Sequence, residues 1–539
     1  MIKLSNVTYA YPDGAVVLNG IDLHIATGKK VAILGCNGSG KTTFALLLNG
    51  IHQAFSGEIK IDGLDPSDPI NNAALKSKVG LVFQNPDNQL VSTTVEREVA
   101  FTLENLNVRH PELKDRVDEI LHFFGLYELR GRLTAELSGG EKQKTALAAV
   151  MVADPKILIL DEPGSYLDET GKKMMNQALN HLIEKSPDLT VLRITQYSYV
   201  TEDYKRLIVF HNGLILADDT PARIFKNHDL CRTAGINIPL PYRIRSKRDF
   251  PKDEPIGSPI DMKKNSKGKS IVLDSVSFAY DSHDNPLLFQ NLSLSVGNDK
   301  IYGIVGPSGS GKSTLIQIMA GLLKPLSGSA KYEGFKPKPG DLVISFQHPE
   351  RQFFLETVEK EIRFGAENLA LQNIDKIAEE CYSLVGLSKD RFALRDPFTL
   401  SGGEKRRLAF ADILSLQPSF IFFDEPTCGL DAAGIALFKR MVHRLRAKGI
   451  GIFIVSHYGD IIFALADEII PMTDGKISAF YSREDFFQNF DYSGFLSVPE
   501  MVQYQKKSFG RIKYFSESEL AAGIAGKENR PPRTSLDLF

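Results

Sequence analysis

The nine residues GCNGSGKTT at 35–43 return as GPSGSGKST at 306–314. Each copy follows a short apolar run, KVAILG (30–35) or KIYGIVG (300–306), and precedes a stretch of helical content, TTFALLLNGI or STLIQIMAGLL. Both fit the pattern G-x-x-x-x-G-K-[ST]. In that pattern the glycines let successive backbone N–H groups converge on phosphate oxygens at the positive end of a helix. The first loop offers Gly35, Asn37, Gly38, Ser39, Gly40, Lys41, Thr42 and Thr43. The second offers Gly306, Ser308, Gly309, Ser310, Gly311, Lys312, Ser313 and Thr314. Lys41 and Lys312 are placed to reach β- and γ-phosphates, and Thr42 and Ser313 to hold Mg²⁺. One such match arises by chance in large proteins; two, each between a strand and a helix, do not read as ordinary tight turns.

The repetition extends beyond the loops. LSGGEKQ (137–143) recurs as LSGGEKR (400–406), ILILDEP (157–163) as IFFDEP (421–426), and VFQNPDNQ (82–89) as SFQHPERQ (345–352). Gln84 and Gln347, Ser138 and Ser401, and Asp161 and Asp424 are each 263 residues apart, so the halves are homologous domains. From loop lysine to glutamine the first half takes 43 residues and the second 35, so a peripheral loop near YEGFKPKPGD (332–341) is trimmed. ILILDEP and IFFDEP read as buried parallel strands, and strand–loop–helix units with such strands imply an α/β fold around a mainly parallel sheet. PELKDRVDEILHFFGL, between Gln84 and Ser138, has helical periodicity and reads as part of an all-helical insert.

The expected organisation is a first domain over 1–232, a linker over 233–269, a second domain over 270–482 and a partly disordered C-terminal extension over 483–539. The linker expectation rests on Pro, Lys and Ser richness; 37 residues of coil would reach about 30–35 Å. With 64 basic and 66 acidic residues, the charge balance argues against a dedicated nucleic-acid binder. Four scattered cysteines without a CxxC pair read as free thiols of a reducing compartment. The stretch MIKLSNVTYAYPDG lacks the apolar core of a signal peptide, and no run of about 18 apolar residues occurs.

Asp161 and Asp424 end apolar strands, where a carboxylate can hold magnesium. Glu162 and Glu425 follow directly and are placed to polarise an attacking water, a role worth about 10²–10⁴ in rate. In LSGGE, the serine hydroxyl and paired glycine N–H groups of Ser138, Gly139 and Gly140, and of Ser401, Gly402 and Gly403, form an anion nest ahead of a helix. Each serine stands 23 residues before its strand-end aspartate.

Phosphate loop, Gln84/Gln347, LSGGE, DEP, and the downstream SYLD (165–168) and CGLD (428–431) together resemble ATP-binding-cassette (ABC) ATPase domains over about 1–230 and 270–480. The resemblance implies RecA-like mainly parallel sheets with helices on both faces, each with an antiparallel β subdomain and an all-helical subdomain. It implies ATP and Mg²⁺ as ligands, with Thr42, Gln84 and Asp161, and Ser313, Gln347 and Asp424, around the metal. It also implies that two cassettes dock head to tail, each ATP being held by the loop of one and the LSGGE of the other, so a tandem chain carries both halves of a dimer. Tyr11 and Tyr280 match the aromatic that stacks on adenine, an interaction worth about 1–3 kcal/mol between bases and aromatic side chains. The switch histidine is His457 in the second half, whereas Gln196 stands there in the first. Glutamine can hydrogen-bond but cannot shuttle a proton, so the site of Lys312, Asp424, Glu425 and His457 is expected to hydrolyse faster.

FQNPDNQLVSTTVEREVAFTLENL (83–106) and, more loosely, FQHPERQFFLETVEKEIRFGAENL (346–369) resemble energy-coupling-factor (ECF) importer ATPases. That subtype implies a transmembrane coupling subunit and a substrate-binding membrane subunit as partners, no nucleic acid, and a peripheral place on the cytoplasmic face of the cell membrane. The same resemblance implies a vitamin or a metal ion as cargo, with no residue of this chain selecting between them. Two other readings stay open: a soluble tandem ABC ATPase acting on the ribosome, and a fused-cassette sugar importer ATPase.

Overall fold

A computed structural model describes residues 1–12, 14–164, 167, 169–246, 268–280, 287–346 and 352–525. Its contacts divide the chain into two units, Met1–Pro239 and Leu240–Phe539.

In the first unit, strands Val16–Ile25, Ile2–Ala10 and Ser56–Ile61 form an antiparallel sheet in that order. Among the described residues the main sheet has six strands. Their order is Val79–Val82, Ile157–Asp161, Thr190–Thr195, Lys30–Leu34, Arg206–His211 and Leu214–Asp219, the first five parallel and the last antiparallel. Ile157–Asp161 is buried at every position. Ile157 and Ile159 feed one apolar cluster, Leu158 and Leu160 another. A strand with cores on both faces is apolar on both sides, which is why ILIL does not alternate before Asp161. Helices Val95–Asn105 and Glu112–Phe123 make up the helical part and pack with Gly139–Met151.

The second unit repeats this plan. Its antiparallel sheet runs Phe289–Gly297, Ser270–Phe278 and Ser327–Glu333. Its main sheet runs Leu342–Ser345, Phe420–Asp424, Gly451–Val455, Ile301–Val305, Glu468–Thr473 and Lys476–Ile477, with Tyr481–Ser482 also paired to Glu468–Thr473. Helices Val358–Asn368 and Ile374–Val385 pack with Gly402–Ser415. The trimmed loop is visible: the first unit carries helix Asn72–Lys78 ahead of its edge strand, and the second passes from Glu333 to Leu342 without one.

One stretch differs from the sequence expectation. Within the expected linker, Leu240–Ser246 is a helix belonging to the second unit, and Leu240 is fully buried in that unit's core. Pro239 and Pro241 suggest a break, but Pro241 falls in the first turn of the helix, where a missing N–H is tolerated. Leu240 and Ile244, four apart, give the helix an apolar side that the core accepts. After Ser482 come helices Arg483–Asn489, Glu500–Phe509 and Glu517–Ala525, whose Phe486, Phe487, Met501, Val502 and Leu520 join the same core. Residues 247–267 and 526–539, on which the rest of the linker and tail expectations fall, lie outside the described residues.

Candidate nucleotide-binding and hydrolysis sites

Each phosphate loop joins a central strand to a helix, Lys30–Leu34 to Lys41–Leu48 and Ile301–Val305 to Lys312–Met319. The residue before each helix, Gly40 or Gly311, has a left-handed φ of 100° or 97°. A Cβ at Gly40 would lie 2.7 Å from Leu18 Cδ2, and one at Gly311 2.7 Å from Phe289 Cε1. Only glycine meets both the torsion and the clearance. Lys41 Nζ donates to the carbonyls of Gly35 and Cys36, both at 2.8 Å, and Lys312 Nζ to those of Gly306 and Pro307, both at 2.8 Å. Both ammonium groups are thereby held inside the loops, where Gly38, Ser39, Gly309 and Ser310 complete the turn.

The strand-end aspartates lie beside the next loop residue. Burial raises the Asp161 carboxyl above its ordinary value, opposed by a hydrogen bond with Thr42 and by the charge of Lys41. Asp424 is raised likewise by burial, opposed by Ser313, Lys312 and Arg406. A hydroxyl and a carboxylate in contact form an oxygen-only pair of the kind that Mg²⁺ takes together with phosphate oxygens and water, so Thr42–Asp161 and Ser313–Asp424 fit that ion.

Glu162 and Glu425 share a backbone feature absent from the sequence pattern: φ is 44° at the first and 47° at the second. Left-handed glutamates one residue beyond a buried strand are strained conformations that the surrounding fold must impose. Their amides are fixed by the neighbouring strand, Glu162 N–H donating to Ile194 O at 3.1 Å and Glu425 N–H to Val455 O at 2.9 Å. The carboxylates are held differently. Glu162 Oε2 accepts from Gln84 Nε2 at 3.2 Å. Glu425 Oε1 accepts the His457 N–H at 3.0 Å, and His457 Nε2 stands 3.6 Å from the same oxygen. Gln196 occupies the corresponding place in the first unit, 6% exposed, and among the described residues neither polar atom of its side-chain amide has a hydrogen-bond partner. Gln347 and, of SYLD, Ser165, Tyr166 and Asp168 lie outside the described residues. Asp431 of CGLD caps helix Ala432–Ala447, accepting from Gly434 N–H at 2.9 Å.

The signature serines cap the helices that follow. Ser138 Oγ accepts from Glu141 N–H while the Glu141 carboxylate accepts from Ser138 N–H and Oγ–H, both at 2.8 Å; Ser401 and Glu404 repeat this at 2.9 Å. Gly139–Gly140 and Gly402–Gly403 form the first turns, so their N–H groups face outward unsatisfied by the helix. Tyr11 OH lies 3.2 Å from Thr43 Oγ1, and Tyr280 OH 2.8 Å from Thr314 Oγ1. In the second unit Tyr280, Gly309, Gly311, Lys312, Ser313, Thr314 and Asp474 line one cleft of about 580 Å³, within the range of small-ligand sites. His52 was not anticipated: it stacks on Tyr9, centroids 5.1 Å apart, and meets Tyr11 edge-on at 5.7 Å.

The sequence profile of the ABC transporter family matches residues 18–165 and 289–428, spanning a loop, a signature and a DEP strand in each unit. The chain belongs to the ABC transporter family. A protein of Methanosarcina mazei named "Putative ABC transporter ATP-binding protein" is 31% identical over 97% of this chain and 96% of its own length. The "Putative HMP/thiamine import ATP-binding protein YkoD" of Bacillus subtilis is 29% identical over 88% of this chain and 90% of its own. A solved structure of cbiO1 from Clostridium perfringens, described as part of the ABC transporter complex cbiONQ, is 33% identical and covers 43% of this chain and 92% of that one, with a TM-score of 0.39. This member of the family is an ATPase of a transporter system, built of two ABC cassettes. Among the described residues no helix is long and apolar enough to cross a membrane.

Proposed function

We propose that the chain is the energy-coupling subunit of an ECF-type importer, hydrolysing ATP to drive uptake of a vitamin or a metal ion. Its partners in this reading are a transmembrane coupling subunit and a substrate-binding membrane subunit, and it works peripherally on the cytoplasmic face of the membrane. Two ATP are sandwiched between the cassettes, so that Ser138 serves the nucleotide on Lys312 and Ser401 that on Lys41. Lys41 and Lys312 hold γ-phosphate, Tyr11 and Tyr280 stack on the base, and Glu162 and Glu425 orient the attacking water. Magnesium, held at Thr42–Asp161 and Ser313–Asp424 with Gln84 and Gln347, would neutralise charge developing on the phosphate oxygens. His457 donates toward the γ-phosphate while its backbone N–H steadies Glu425.

One observation supports the membrane-coupled reading most. Asn85–Gln89 forms a tight turn with Asp87 and Asn88 exposed: Asn85 Oδ1 accepts from Asp87 N–H at 3.0 Å, and Gln89 Oε1 accepts from Phe83 N–H at 3.0 Å. Asp87 then pairs with Lys142 of the signature helix at 2.7 Å. Val91, 70% exposed, stands beside this turn, so a helix seated there would push on a segment tied both to Gln84 and to the signature. The import name of the Bacillus subtilis relative points the same way.

A photo-crosslinker at position 91, in cells making the full chain, tests the reading. Capture of an integral membrane protein is expected, and Val91→Glu should reduce the membrane-bound fraction. Crosslinks to ribosomal proteins, with the chain sedimenting with ribosomes, would replace this reading by the translation one.

A further inference from the structure

The helix Gly459–Leu465 begins two residues after His457, and it is held from outside the cassette sheet. Ser497 N–H donates to the His457 carbonyl at 2.9 Å, and Gly459 N–H donates to Ser497 Oγ at 2.9 Å. One serine thus grips the backbone on both sides of Tyr458. The fit is close: a Cβ on Gly459 would lie 1.9 Å from Ser497 O. Three residues on, Glu500 N–H donates to Asp460 Oδ1 at 2.8 Å. Phe463, in the same helix, packs edge-on against Phe487 at 5.1 Å and parallel to Phe515 at 5.6 Å.

The gripping segment is itself fastened. Arg243, on the helix Leu240–Ser246, pairs with Glu500 at 3.0 Å and with Glu517 at 2.8 Å, its own side chain only 13% exposed. Leu240 N–H donates to Glu500 as well. A guanidinium satisfied by two carboxylates in shielded surroundings fixes geometry more than it adds stability. The first unit has a counterpart at the same place. Ser198, two residues after Gln196 as Gly459 is two after His457, donates its hydroxyl to Asn237 O. In both units a segment beyond the last strand of the sheet holds the switch loop.

We propose that Ser497, backed by Glu500 and Arg243, positions His457 for hydrolysis, so that the segment after residue 483 is part of the second cassette's catalytic apparatus. Ser497 is a positioning residue and touches no substrate in this scheme. Its two hydrogen bonds set where the 456–460 backbone lies, and that backbone carries both the imidazole and the N–H that steadies Glu425. A displacement of about 1 Å at a reacting group can cost up to about 100-fold in rate. This inference rests on His457 acting at the γ-phosphate, as read above.

The test uses the full chain and steady-state ATP hydrolysis. Ser497→Ala should lower kcat by about 10–100-fold, with KM for ATP within about twofold and the melting temperature nearly unchanged. Ser497→Thr, which restores a hydroxyl, should recover most of the loss. Glu500→Gln should lower kcat by a smaller factor, and Val498→Ala, at an exposed neighbour, should leave it unchanged. His457→Gln separates the two claims. If His457→Gln lowers kcat but Ser497→Ala does not, the positioning role is wrong and the reading of His457 stands. If His457→Gln leaves kcat intact, both fall. A kcat loss in Ser497→Ala that threonine does not rescue, or that follows loss of folded protein, also overturns the proposal.

Discussion

Replacing Glu425 by glutamine should cost far more hydrolysis than replacing Glu162. The substitution keeps side-chain length and suits the same left-handed backbone, φ 47° at Glu425 and 44° at Glu162, so the fold is not the variable. What is lost is the carboxylate. At Glu425 that carboxylate is held by the His457 N–H at 3.0 Å, with the imidazole Nε2 3.6 Å away, so an acid and a base sit side by side. Removing a positioned base costs about 10²–10⁴ in rate, or about 3–5 kcal/mol of barrier at 1.36 kcal/mol per decade. At Glu162 the neighbour is Gln84 Nε2 at 3.2 Å, and the Gln196 amide offers no proton to exchange. If that site carries under a tenth of the turnover, Glu162→Gln removes little directly and acts only through coupling to the other site, a loss of less than about tenfold. Single-turnover hydrolysis of γ-labelled ATP, with the full chain in excess, reads the difference. Equal losses in the two variants would refute the asymmetry and make Gln196 an adequate substitute for histidine.

Two further outcomes follow from the geometry. Ser138→Ala and Ser401→Ala each delete half of a capping box, worth about 1 kcal/mol, so scanning calorimetry should show each variant melting about 2–4 °C lower without nucleotide. His52→Leu removes a ring that braces Tyr11, which is 36% exposed against 63% for Tyr280, whose ring meets Phe278 edge-on at 5.1 Å. An aromatic contact of about 0.5–1.5 kcal/mol predicts about 2–12-fold weaker binding of a fluorescent ATP analogue to the first cassette, measured with Lys312→Ala silencing the second.

The parts legible in the sequence were those whose cause is local. A glycine-rich loop between an apolar strand and a helix needs only its own torsions and the N–H groups it presents, so both loops join a strand to a helix as the pattern implies, with Lys41 and Lys312 folded onto the loop carbonyls. ILILD and IFFD read as two-faced strands because every residue before the closing aspartate is apolar, and each does feed two cores. What stayed hidden depends on partners far along the chain. Nothing near Ser497 announces His457, forty residues earlier. Arg243 in a Pro- and Lys-rich stretch reads as solvated until Glu500 and Glu517 arrive beside it. The left-handed glutamates are invisible too, because glutamate has no preference for that backbone; the parallel strand that captures each amide imposes it.

Among the described residues, two different contacts tie the signature helices to the segments that follow Val79–Val82 and Leu342–Ser345. In the first unit the link is Lys142 to Asp87, with Asp87 61% exposed, an ion pair in water worth about 0–1 kcal/mol. Gln143, the next residue, is 1% exposed, and its side-chain amide, beside Val82, Leu147, Leu160 and Pro163, has no hydrogen bond among the described residues. An unsatisfied buried amide costs about 1–3 kcal/mol, so this interface is held below its best stability. In the second unit Arg406 stands where Gln143 stands, 4% exposed, and its guanidinium donates to the carbonyl of Phe346 at 2.8 Å while pulling the Asp424 carboxyl down. A shielded charged hydrogen bond is harder to break than a surface ion pair. Among the described residues, the first signature helix is thus tied at Asp87 by an exposed pair, and the second at Phe346, next to the strand that ends in Asp424, by a shielded one. The two repeats thus differ, among other places, at residues that contact the signature helix and the strand-end glutamate. That is the pattern expected when one site turns over and the other mainly reports the state of its surroundings.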